Sequence, residues 1–65
     1  MQIDSLKMQI AMARCKMDNA ELAKVTGLSK NTVVRMQHNN PECKPVNVGI
    51  IASSLNCDVT DIILM

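Results

Sequence analysis

The sequence predicts an all-α fold, a compact arrangement of five short helices, and three stretches carry that prediction. The segment from Ser5 to about Lys16 holds no Pro or Gly and is rich in Met, Ala and Leu, all good helix formers. Residues 18 to 38, DNAELAKVTGLSKNTVVRMQH, read as helix, glycine turn, helix. Beyond Pro45, Val48, Ile51, Ala52 and Leu55 recur at the spacing of one helix face.

The first helix carries more apolar residues than one face needs. Met8, Ala11, Met12 and Cys15 form one stripe, while Ile3, Leu6, Ile10, Ala13 and Met17 form another. Either the helix lies deep in the core or its second stripe meets a partner. The second helix, roughly Asn19 to Val25, has Asp18 as N-cap and Glu21 three residues on, the pattern of a capping box. Leu22, Ala23 and Thr26 give it one face, and Ala23 is small where another helix must cross closely. Gly27 ends it at a position where left-handed backbone costs little. Leu28 can tuck under the turn, and Ser29 can cap a third helix, Lys30 to about Gln37, with Val33 and Met36 inward.

A polar, proline-marked loop spans residues 38 to 45, in which Asn39 is the expected left-handed C-cap. The fourth helix follows Pro45 and closes on Asn56. A turn at Cys57-Asp58 leads to a short fifth helix, Thr60 to Leu64, with Ile62 and Ile63 partly buried.

Composition narrows function. Sixty-five residues are expected to hold one domain, 1–65, and one small core, without room for a catalytic or ligand-sensing domain beside the helices. With no Phe, Trp or Tyr, the core must come from Leu, Ile, Val, Ala, Cys and six Met, which implies modest stability helped by association. The same absence excludes single-strand and RNA modules that stack bases on aromatic rings. The net charge is only +1, yet it is unevenly spread. Arg14, Lys16, Lys24, Lys30, Arg35 and Lys44 stand in the centre against Asp18, Glu21 and Glu42, whereas the ends hold Lys7 against Asp4, Asp58 and Asp61. A basic centre is a candidate phosphate footprint.

The three cysteines, Cys15, Cys43 and Cys57, lack CxxC spacing. No signal peptide or membrane-length apolar run is found, so reduced thiols in a cytoplasmic protein are expected. Cys15 is expected in the core, Cys57 near the last turn and Cys43 exposed, where a Cys43→Ser change would matter little. His38 and Cys43 make too poor a ligand set for a metal. Nothing supplies an oxyanion hole or substrate pocket, so no enzyme activity, cofactor, metal, membrane or small-molecule substrate is expected.

The outward positions of the third helix are Lys30, Asn31, Thr32, Val34 and Arg35. Lys and Arg reach guanine N7 and O6, Asn pairs with adenine, and Thr or Val meets a thymine methyl. The chain resembles the Cro/C1-type (XRE) helix-turn-helix repressor family through Asp18, Leu22-Ala23, Gly27, Leu28-Ser29, Val33 and Met36, and further on Pro41, Ile51-Ala52, Leu55 and Asp61-Ile62-Ile63. That resemblance implies a five-helix, lambda-repressor-like DNA-binding domain and a Cro-like regulator of transcription whose partner is double-stranded DNA. It implies base reading by Ser29, Lys30, Asn31, Thr32, Val34 and Arg35, and phosphate binding by Asn19, His38, Asn40 and Lys44. A small domain without aromatics and with spare apolar faces is expected to form a homodimer on palindromic DNA, joined through Leu6, Ile10 and Ala13 or through the end of the fifth helix with Leu55. Many members pair an Arg in the first helix with a Glu just after the third. Met12 and Gln37 stand there in this chain, and an apolar contact is expected in place of the ion pair. A protein-interaction module of the same fold, binding a repressor or a toxin, is the alternative; the surplus apolar face and the Ile62-Ile63-Leu64-Met65 end would suit it.

Overall fold

The structure is a computed structural model that describes residues 1–38 and 41–65. Asn39, expected as a C-cap, and Asn40, expected at a phosphate, lie outside the described residues. Four α-helices form: α1 (Ser5–Cys15), α2 (Asn19–Thr26), α3 (Lys30–Met36) and α4 (Pro45–Ser54), followed by a 3-10 turn at Val59–Asp61. α2 packs on α3 and on α4, while α1 and α4 both pack on the 3-10 turn.

Local capping explains the helix limits. The Asp4 carboxylate accepts from Leu6 N (3.0 Å) and Lys7 N (3.1 Å), so α1 starts at Ser5 and Ile3 falls outside it. Lys16 closes α1 in the left-handed region at φ 56°, a conformation uncommon outside glycine. Asp18 accepts from Glu21 N (2.8 Å), but no return bond from the Glu21 side chain forms among the described residues, so only half of the expected capping box is present. The complete box lies at Asp58 and Asp61. Gly27 ends α2 at φ 78°; a Cβ there would meet nothing within 4 Å, so the backbone angle, not space, calls for glycine. Pro45 opens α4, and Asn56 takes the left-handed conformation just past its end.

Met8, Ala11 and Met12 of α1, Leu22 and Ala23 of α2, Val33 and Met36 of α3, and Val48, Ile51 and Ala52 of α4 meet in one core. Leu55 and, from outside the helices, Ile3, Cys43 and Ile62 complete it. The two ends of the chain are paired. Ile3 and Ile63 form an antiparallel bridge, Asp4 N donates to Ile62 O (2.9 Å) and Leu64 N donates to Gln2 O (2.8 Å).

This pairing corrects two expectations. The fifth helix is a three-residue 3-10 turn, because the backbone beyond it bonds the amino-terminal segment and has no need of helical partners. Ile62 is fully buried and not partly so. The α1 question is resolved as well: the helix is not deep in the core, since Leu6 and Ile10 stay 65% and 46% exposed. Leu55 is buried, which removes it from any partner surface.

Candidate nucleic-acid interface

α3 presents its inward and outward residues on opposite sides. Val33 and Met36 are buried against the core, whereas Lys30, Asn31, Val34 and Arg35 face solvent. Seven residues make a helix about 10 Å long, short enough to lie in a groove of major-groove width. Lys30, Asn31, Val34, Arg35 and His38 line one shallow open depression along it. Arg35 also borders a second depression with Thr32, Glu42, Lys44 and Asn47, so it stands where α3 meets the start of α4.

The cations on this surface make no direct ion pair among the described residues. Among the described residues the one ion pair joins the Met1 α-amino group to Glu42, so Lys30, Arg35 and Lys44 have no carboxylate within 4.0 Å. Lys44 is the N-cap of α4 and is exposed. His38 is exposed at the end of α3, its N–H donating to Arg35 O (3.1 Å). Ser29 differs from its neighbours. Its Oγ accepts from Thr32 N (3.1 Å) and donates to Thr32 Oγ1 (2.8 Å), so its hydroxyl is committed to the helix cap. Thr32 keeps its own hydroxyl proton and is half-buried.

Asn19 lies apart from this row, at the first position of α2, and is half-buried. Its Oδ1 accepts from Gln37 Nε2 (2.8 Å), and the same Nε2 donates to Val33 O (3.1 Å). The Gln37 carbonyl also accepts from Ser5 Oγ. Met12 and Gln37 border one depression, and beside the expected apolar contact the Gln37 amide makes a polar link from the end of α3 to α2, with an acceptor on each side. Met12 simply joins the core. Gln37 and Asn47 are the residues that sequence reasoning left out of the site. Asn47 carried a readable signal, standing in the first turn of a helix opened by Pro45.

The expected exposure of Cys43 is also wrong. Its backbone N–H donates to Met1 O (2.6 Å), which draws the loop onto the amino-terminal segment and buries the thiol near the carbonyls of Met36 and Pro41. Burial pushes the Cys43 and Cys57 thiols above their ordinary value, with a smaller opposing effect of the nearby α-amino group at Cys43. Cys15 is half-buried, its Sγ 3.2 Å from Leu55 O. Among the described residues no three His, Cys, Asp or Glu are grouped to hold a metal, and no helix is long and apolar enough to cross a membrane.

The family model described as Cro/C1-type HTH DNA-binding domain matches residues 7–64. Neither comparison with curated proteins nor comparison with solved structures gave a match.

Proposed function

Because the chain belongs to the Cro/C1-type helix-turn-helix DNA-binding domain family, we propose that it is a sequence-specific regulator of transcription, a small Cro-like repressor that reads the major groove with α3. The observation that carries this reading is the outer face of α3: Lys30, Asn31, Val34 and Arg35 are exposed together on a helix backed by the core, and among the described residues the cations in this row make no ion pair. Each of these side chains has a base edge it can pair with or touch. Thr32 supplies a hydroxyl to the same groove, and Ser29 contributes chiefly by holding the start of α3. His38 and Lys44 anchor flanking phosphates, as does Asn40 on the strength of the resemblance, and Asn19 contacts the backbone from the start of α2.

In this reading the functional unit is a homodimer on a two-fold site, with half-sites about one helical turn apart, roughly 34 Å. Exposed Leu6, Ile10 and Ala13 support α1 as the joining surface. The same apolar residues favour the second reading, an interaction module for a different protein. Titration of random-sequence duplex DNA at several salt concentrations separates the two. The DNA reading expects retention that weakens with salt, and expects Lys44→Ala to lower the salt slope by about one. No measurable affinity for any duplex at low salt would transfer the argument to the interaction module.

A further inference from the structure

Hydrogen-bond polarity runs in a fixed direction from α3 to α2. A backbone carbonyl can only accept, so the Gln37 atom 3.1 Å from Val33 O must be the amide nitrogen. That nitrogen has a second hydrogen, and its other partner, 2.8 Å away, must therefore be the Asn19 oxygen. With Oδ1 turned to Gln37, Asn19 Nδ2 points away from it and has no partner among the described residues. Asn19 and Gln37 share an open depression with Gln9, Met12, Ala13, Met17 and Asp18, so the free amide hydrogens lie at a surface that solvent reaches. The Asp18 carboxylate beside it is bound to Glu21 N and carries a negative charge into the same depression. A backbone contact here comes from a neutral amide and not from a cation.

Resting on the α3 reading above, we propose that Gln37 is a positioning residue: held by Val33 O, it fixes the Asn19 amide so that Nδ2 donates to a DNA phosphate beside the groove that α3 enters. Gln37 caps the end of α3, and its carbonyl is held by Ser5 of α1. One side chain thus ties the reading helix to a phosphate contact on a different helix. In a chain without this link, the Asn19 amide would rotate freely, and the phosphate contact would have to bear the entropy of ordering it with the nitrogen outward.

The test is a double-mutant cycle on the full chain with random-sequence duplex DNA, repeated across a salt series. Asn19→Ala is expected to weaken binding about tenfold, the loss of one hydrogen bond to a charged acceptor. Gln37→Met keeps the side-chain length without the donor, and should weaken binding severalfold. In the Asn19→Ala background the same Gln37→Met change should alter affinity less than twofold. The salt slope should stay as in the unmodified chain, since no cation is removed. Gln37→Glu should be worse than Gln37→Met, because a carboxylate accepts from Nδ2 and turns Oδ1 outward. A measurement on the unmodified chain guards against a variant that fails to fold: the Asn19 side-chain amide resonances should shift when duplex is added, while those of Gln37 move far less. Independent effects of the two substitutions, or Asn19 resonances that ignore the duplex, would overturn the proposal while leaving DNA binding itself in place. An unmodified chain that binds no duplex would overturn the α3 reading, and this proposal with it.

Discussion

α1 and α3 both turn one side to the core and one to solvent, and their solvent sides are unlike. The outer side of α1 carries Leu6 and Ile10, 65% and 46% exposed, together with Ala13. That of α3 carries Lys30, Asn31 and Arg35 around a single aliphatic residue, Val34, at 40% exposure. Covering a Leu or Ile side chain is worth about 1.5–3 kcal/mol, so α1 offers a partner mainly apolar area. α3 offers donors, cations and one methyl-sized contact, which suit base edges and gain little from an apolar partner. Two helices of similar inner construction therefore suit different kinds of surface, and the outward residues decide which.

The comparison breaks most readily at Arg35. Arg35→Ala should cost about 1–3 kcal/mol of affinity on a preferred duplex and leave thermal stability within about 0.5 kcal/mol, because the residue is exposed. A comparable loss of stability would mean that Arg35 supports the fold instead. On α1, Ile10→Asp should leave folding within the same margin and weaken self-association on DNA about tenfold, or roughly 1.4 kcal/mol. Sedimentation with a two-fold duplex checks this, and one protein per duplex at saturation for the unmodified chain would remove the dimer. Cys43 sharpens the contrast from beneath α3. Its thiol is buried, so Cys43→Ser should cost about 1 kcal/mol of stability, measured by urea unfolding.

The smallest effect is on pH dependence. Burial raises the Cys43 and Cys57 thiols above 9.0, so the folded state favours their neutral form. Their contribution is complete below pH 9.0 and fades as pH rises through the higher folded values. Unfolding between pH 8 and pH 10 should therefore show a shallower decline in a Cys43→Ala, Cys57→Ala chain than in the unmodified one. Equal declines would assign the effect to other groups.

The helix-turn-helix could be read residue by residue because its determinants are local. Asp18, Gly27 and Ser29 act within four residues of themselves, and the buried residues of α3 follow from helical spacing alone. The rest depends on segments far apart in the chain. Nothing near Cys43 announces that Met1 will bond its backbone, and nothing near Ile62 announces Asp4 or Gln2. A five-helix reading followed, since Thr60 to Leu64 has no local signal for the extended pairing that displaces a helix. Within the interface, Lys30, Asn31, Val34 and Arg35 were legible as outward positions. The Asn19–Gln37 link was not, because it joins side chains 18 residues apart whose partners emerge only when α2 and α3 pack.

The central claim is that α3 reads base edges. Selection of bound sequences from a random duplex library tests it most directly, run in parallel on the unmodified chain, Arg35→Ala and Asn31→Ala. The account predicts one preferred motif for the unmodified chain, relaxed at one base pair per half-site in each variant: a guanine position for Arg35 and an adenine position for Asn31. An unchanged motif in both variants would contradict it.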